Sequence, residues 1–439
     1  MRYSRAEMTA QSDAGLERAI GVRQLTASII NITIGAGIFV LPAAAAGGLG
    51  PAAPLAYVAC AVLMALIVCC FAAAGSRVAL TGGVYAYVEV AFGPFVGFLA
   101  GVLYILMAMF AVASVSSAFA GSVGELWTPA ATPIGRAVVI ALLFTLLAAS
   151  NVRGVRIGAR LVEVVTVAKL LPLLVLVAAG IWFIDPANLR WIQTPALSDV
   201  GRTAIVLIFA FVGMEVALVP GGEVRNPSRT VPRAVFSALI LTTTLYLLIQ
   251  VVAQGLLGRS MSMFATAPLA EAASRVLGRG GQLLVLVGAV ISMFGYASGD
   301  MLGSPRAVFA FARDGSLPAV LARVHPRFHT PFVAIAVYAI VVASVAISSS
   351  FTQLAVLANV ASLTLYLTCV AAAFDLQRRD VRADGPPFAL PGGPTIPLLA
   401  ATVIVWLLSN AAYREFAVEA LVLAAAALFY FIRRTGGRL

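Results

Sequence analysis

The sequence is short of charge. Only 11% of its 439 residues are Asp, Glu, Lys or Arg, whereas 61% are apolar. A soluble domain of this length carries about a quarter charged residues, so composition excludes that class. Histidine is nearly absent. His325 and His329 share one arginine-rich polar loop, and no apolar segment contains an imidazole. Without an intramembrane nucleophile–base pair or any metal-ligand spacing, a membrane enzyme has no residues to rest on. A channel would call for repeated polar stripes, which are also missing. The four cysteines, Cys60, Cys69, Cys70 and Cys369, all lie in apolar runs and read as small hydrophobes rather than disulfides or ligands. There is no soluble domain, linker or low-complexity tract, and the long polar loops span only residues 305–331 and 377–394. Lysine is scarcest of all: Lys169 is the one lysine, and the other 28 basic residues are arginine.

What is abundant is apolar sequence in runs long enough to cross a bilayer, about 17–25 residues each. Twelve are found, centred near Asn31, Met64, Leu106, Leu142, Leu171, Ala210, Leu245, Ala289, Val337, Ser362, Val405 and Ala424. The expected fold is therefore an all-α polytopic membrane protein with twelve transmembrane segments. If these alternate from a cytoplasmic N-terminus, 21 arginines fall on the cytoplasmic side and seven on the other. That bias is the positive-inside pattern; it accounts for the +11 net charge without a nucleic-acid partner and predicts both termini inside. The first apolar run ends in alanines as a signal peptide might, but it is too long and its leader carries Glu7, Asp13 and Glu17, so it reads as an uncleaved first segment. The expected location is the inner (cytoplasmic) membrane of the cell, crossed many times, with the lipid bilayer as the surrounding partner.

Lys169 lies well inside an apolar run from about Val162 to Ile184. A lysine at mid-helix costs about 2.5–3.5 kcal/mol on insertion scales. Arginine cannot be deprotonated in a protein, whereas a desolvated lysine can release its proton. Snorkelling to an interface is the structural alternative. The depth of Lys169, about ten residues from Ala159 and fifteen from Ile184, favours a proton carrier.

Two segments carry glycine where a plain anchor needs none. In the first, Gly35-Ala36-Gly37-Ile38-Phe39 interrupts an apolar run at its middle. In the sixth, Phe209-Ala210-Phe211-Val212-Gly213-Met214-Glu215 does so with an acid at its end. The breaks lie twelve residues past Arg23 and eleven past Arg202. Paired interruptions in corresponding halves point to a midplane substrate site in an inverted-repeat transporter. A half-helix starting near Gly37 would aim free N–H groups and its dipole at a carboxylate. Freed carbonyls near Phe209 to Val212 would suit an ammonium. A zwitterionic amino acid presents both groups. Close helix packing is the alternative reason for one glycine pair, but it does not explain the matching break. Asn31 and Thr33, just before the first break, are placed to cap freed backbone groups.

At these residues the chain resembles the amino acid–polyamine–organocation superfamily of permeases. Residues Gly35 to Phe39 match its first-segment signature, and Phe209 to Glu215 its sixth-segment pattern. That pattern runs on into Gly222-Glu223-Val224-Arg225-Asn226-Pro227, the family's acidic-x-basic-Asn-Pro loop. Thr81-Gly82-Gly83-Val84-Tyr85 and the stretch from Pro305-Arg306 to Arg313-Asp314-Gly315-Ser316-Leu317-Pro318 also fit. The resemblance spans nearly the whole chain. It implies a LeuT-like 5+5 inverted repeat plus two C-terminal helices, with segments 1 and 6 broken and access alternating around the breaks. The expected organisation is a tail over 1–21, repeats over 22–184 and 201–376, and the last two segments over 395–432.

The resemblance also assigns roles. Lys169 falls where a fifth-segment ammonium is thought to replace the sodium of sodium-coupled relatives, and Glu215 matches an acid used in gating or proton sensing. Asp300 stands where relatives more often carry a neutral residue near the substrate. It is expected either to pair with Lys169 or to select cationic substrates. Ser298 and Ser292 are placed to offer hydroxyls either to Lys169 or to a neighbouring helix, and Glu163, six residues from Lys169, reads as structural. The candidate substrate-binding residues are thus Gly35, Ala36, Gly37, Ile38, Phe209, Phe211, Val212 and Gly213. Those for coupling and gating are Lys169, Glu215, Ser298 and Asp300. The expected activity is secondary active amino acid transport by proton symport, with no cofactor beyond the proton, no metal and no enzymatic step. An exchanger or exporter of amino acids or polyamines is the rival reading.

Overall fold

The computed structural model describes residues 20–78, 80, 82–153, 159–191, 194–219, 223–313, 317–382 and 386–436. The tail before Ile20, Thr81, Gly222, the Asp314–Gly315–Ser316 stretch and the side chain of Glu163 lie outside them. The described chain is helical. The first segment consists of α1 (Val22–Thr33) and α2 (Gly37–Leu49), followed by α3 (Ala53–Gly75). A short α4 (Val84–Phe92) leads into the long α5 (Pro94–Leu126), and α6 (Pro133–Val152) and α7 (Ala159–Gly180) complete the first half. The second half holds α8 (Leu197–Leu207), α9 (Pro227–Leu257), α10 (Pro268–Arg313), α11 (Phe332–Ser348) and α12 (Phe351–Arg378). Two further helices follow, α13 (Thr395–Leu408) and α14 (Tyr413–Gly436).

Among the described residues, seven helices are long and apolar enough to cross a membrane, one of them running from α2 through α3. Three shorter apolar stretches join them: Lys169–Phe183, Phe332–Ser348 and Thr395–Leu408. The twelve expected runs therefore do not appear as twelve uninterrupted helices, because the first and sixth are broken and the ninth and eleventh are short.

Local chemistry sets the helix ends. Proline occupies the first turn of α5, α6 and α9, where its missing N–H has no partner to lose. Thr132 caps α6 by accepting from the Gly135 amide at 3.0 Å, and Ser350 with Gln353 forms a capping box at α12.

The packing repeats under exchange of the halves. The start of the first segment, α1, packs on α9, and its counterpart α8 packs on α3. Likewise α5 packs on α12 and α10 on α7, while α3 meets α9, α5 meets α10 and α6 meets α11. Even the bends correspond: α4 ends at Gly93 (φ 88°) before α5, and the first turns of α10 end at Gly278 (φ 61°). If each half crosses the bilayer five times, an odd number, the second half runs inverted relative to the first.

The loops sort onto two faces. Ile20 pairs with Val224, Gly82 N–H donates to Val219 O (2.8 Å), and Arg77 donates to Val381 O (3.1 Å). The Thr330 hydroxyl donates to Val152 O (2.7 Å) on the same face. This face collects the arginine-rich connections. On the other, Asp185 N–H and the Asn188 amide both donate to Gly255 O, at 3.1 and 2.9 Å. The core between the faces is built largely from α1–α3, α5, α8, α9 and α12.

Candidate functional site

Both interruptions are present and they face each other. Between α1 and α2 the helix opens over Ile34–Ala36. The amides of Ala36, Gly37 and Ile38 find no hydrogen-bond partner among the described residues. This is the unpaired, electropositive start of a thirteen-residue helix. After α8 the chain passes through a single 3₁₀ turn at Ile208–Ala210 and then turns over 211–215, with Gly213 at φ 114°. The carbonyls of Phe209, Phe211 and Val212 accept no hydrogen bond among the described residues. The breaks touch: a Cβ on Gly37 would lie 2.9 Å from the Ala210 backbone. Gly37 thus serves close packing as well as an open backbone.

A cavity of about 160 Å³ lies beside the breaks, lined by α1, α5, α10, Lys169 and the far half of the sixth segment. It reaches from Asn31 and Val212 past Tyr104 and Tyr296 to Asp300, Gly303 and Ser304, toward the arginine-rich face. A narrow cleft continues it past Gly35, Ala36, Gly37, Phe209 and Val212. Five of the eight expected substrate-binding residues therefore line this space. Ile38, Phe211 and Gly213 do not. Ile38 is fully buried, and the Phe211 ring stacks edge-on against Tyr246 at 5.4 Å, turned away from the cleft. Gly213 presents its amide to Glu215 instead and packs against Ile32.

Lys169 is buried, and its Nζ donates to the carbonyls of Asn31 and Ile34 (the latter at 2.9 Å), groups released by the first break. Three corrections to the sequence reading follow. Asp300 is not its partner; no ion pair joins them among the described residues. The Asp300 carboxylate accepts from the Ser304 hydroxyl (2.7 Å) and the Tyr338 hydroxyl (2.8 Å). Ser292 does not hold the ammonium but donates beside it, to Ile34 O and Gly35 O at 3.3 and 3.4 Å. Ser298 lies off the face of α10 that carries Ser292, Tyr296, Asp300 and Gly303, because two residues past Tyr296 is 200° around a helix.

Glu215 is fully buried at the end of the sixth-segment turn. Both its oxygens accept the Gly213 amide at 3.1 Å, and one accepts the Tyr366 hydroxyl at 2.6 Å. It is thereby tied to α12. Three tyrosines that no motif marks also organise the site: Tyr246, Tyr338 and Tyr366. The Tyr246 hydroxyl reaches both breaks, at Thr33 O (3.2 Å) and Ala210 O (2.8 Å). A hydroxyl deep in an apolar helix needs a partner, and that need was the available signal. Asn359 likewise donates to Ile205 O (2.7 Å) from α12, as Lys169 donates to the first segment from α7.

These broken, facing segments in two inverted halves have a match among known proteins: the profile of the amino acid permease family covers residues 20–428. The chain belongs to that family. Its members are transporters rather than enzymes. Similar proteins include the methylthioribose transporter of Bacillus subtilis (strain 168), 29% identical over 91% of this chain and 90% of that one. The serine/threonine exchanger SteT of the same organism is 28% identical over 88% and 90%. Its branched-chain amino acid permease BcaP is 27% identical over 91% and 89%. The permease is thus a multi-pass membrane protein of a family that transports amino acids, and relatives at equal distance are named for different substrates.

Proposed function

We propose that this permease is a secondary active transporter that carries amino acids by alternating access and couples them to protons. The observation that carries the reading is the pairing at the breaks. Unpartnered amides at Ala36, Gly37 and Ile38 lie next to unpartnered carbonyls at Phe209, Phe211 and Val212. The first set suits a carboxylate and the second an ammonium, and an α-amino acid supplies both on one carbon. The symmetric packing supports taking 22–184 and 201–376 as the two repeats that move against each other. The arginine-rich face, by the positive-inside rule, is the cytoplasmic one, so both termini lie inside and the cavity extends inward.

Lys169 is the coupling residue in this reading. As an ammonium it bridges the carbonyls of Asn31 and Ile34 and holds α1 against α7. Loss of its proton removes charge-assisted hydrogen bonds from the broken segment, so protonation and the position of α1 are linked. Exchange without net proton flux is the second reading, favoured by the similarity to SteT. Proteoliposomes with an imposed pH gradient separate them. Wild type should accumulate amino acid against its gradient. Lys169→Arg, which cannot release a proton, should lose accumulation while retaining binding. Accumulation by Lys169→Arg equal to wild type sinks the coupling role, and counterflow indifferent to the pH gradient establishes exchange.

A further inference from the structure

The proposed binding and coupling groups leave one charged side chain of the cavity without a task. Three groups with formal charge line the cavity: Lys169, Glu215 and Asp300. Lys169 is engaged by the first-segment carbonyls, and Glu215 by Gly213 and Tyr366. Asp300 has a different setting. Each of its oxygens accepts one hydroxyl, from Ser304 on the next turn and from Tyr338 on α11. A carboxylate offers about four lone-pair positions, so roughly two remain for an occupant of the cavity. Two hydroxyl donors fix its orientation.

The helix face around Asp300 has been kept open. Gly299 and Gly303 flank it and are exposed in the cavity, and a Cβ on either would meet nothing within 4 Å. No neighbouring helix requires glycine there, although each glycine in a helix interior costs about 0.5–1 kcal/mol relative to alanine. The two glycines widen a path that runs from the breaks to the acid. Ser292 marks the break end of the same helix, bonded to Ile34 O and Gly35 O. Asp300 lies eight residues further along, about 12 Å by helical rise. An amino acid seated at the breaks meets Asp300 only through a long side chain.

We propose that Asp300 is the specificity-determining residue of the cavity and that the substrates are amino acids with a basic side chain, an ammonium or guanidinium at the end of a flexible arm. This rests on the reading of the breaks as the amino acid site. The planar fork of a guanidinium matches the free edge of a carboxylate already braced on both oxygens. Tyr104 and Tyr296, also lining the cavity, offer aromatic surface to the arm.

The test compares arginine with citrulline, its neutral near-isostere, together with ornithine, leucine and serine, by calorimetric titration of the purified full-length protein. Arginine should bind wild type at least about tenfold more tightly than citrulline. In Asp300→Asn that ratio should collapse toward one, and Tyr338→Phe, which removes one brace, should lower it in part. The comparison within wild type needs no variant, so a misfolded mutant cannot obscure it. Citrulline or leucine binding as tightly as arginine overturns the inference while leaving amino acid transport intact. An unchanged ratio in a folded Asp300→Asn overturns it as well. Binding of none of these amino acids removes the underlying reading and the inference together.

Discussion

Tyr246 concentrates the logic of the site in one hydroxyl. It is buried at mid-helix in α9 and touches both broken segments, at Thr33 O and Ala210 O, while its ring packs against Phe211 and Tyr57. A broken helix in a membrane survives only where its freed backbone groups are met by protein or water. Tyr246 meets one from each half, and Lys169 and Ser292 meet others of the first. Tyr246→Phe keeps the ring and removes the hydroxyl. Net hydrogen-bond contributions of about 0.5–1.5 kcal/mol in proteins, nearer 0.6 in membrane helices, set the scale of loss at about 1–2 kcal/mol. The expected result is a lower melting temperature in detergent and slower uptake, with unchanged expression. A variant that melts and transports as wild type does would show that water replaces the hydroxyl without cost.

At the level of elements, Gly37 shows how two explanations of a glycine can both hold. Its amide is unpaired at the start of α2, and its missing side chain lets Ala210 approach. Gly37→Leu should therefore abolish substrate binding and also push the breaks apart, at the 1–3 kcal/mol typical of overpacking. Direct binding measurements on the folded fraction check it, and wild-type affinity there would defeat the half-helix argument. The elements themselves were largely legible in the sequence. Apolar length marked the segments, and Gly35, Gly37 and Gly213 marked both breaks, because glycine in a membrane run is a backbone signal. The partners of polar groups were less legible. Asp300 and Lys169 looked like a natural pair in one dimension, yet Asp300 is satisfied by Tyr338, 38 residues away, and Lys169 by carbonyls 135–138 residues away. Carbonyl acceptors carry no mark in a sequence. Phe211 faces Tyr246 rather than the cavity, and the sequence carries no sign of it for a related reason: in an irregular turn the 3.6-residue period no longer tells which way a ring faces.

For the molecule as a whole, the pseudo-symmetric packing makes a shape with one broken segment per half, and the cavity lies on one side of both breaks. It extends along Gly299 and Gly303 toward the face where the arginine-rich loops meet. On the opposite side of the breaks the described residues enclose a small space of about 10 Å³, between Phe39, Ser122 and Leu286. In an alternating-access scheme this is a state open toward the arginine-rich face. That assignment can be tested by chemistry from each side of the membrane. The native cysteines give a low background: Cys60, Cys70 and Cys369 are buried and Cys69 is half-buried, all in apolar helices where thiolate is scarce. Gly303→Cys places a thiol in open space at the mouth of the cavity. A membrane-impermeant thiol reagent should label it at least about tenfold faster in inside-out vesicles than in right-side-out ones, with the arginine-rich face exposed in the former. A transported amino acid should change the rate, because occupancy shifts the balance between inward- and outward-open states. Labelling from the opposite face alone would reverse the assigned orientation. Equal labelling from both would mean a continuous path, which a transporter working by alternating access cannot have.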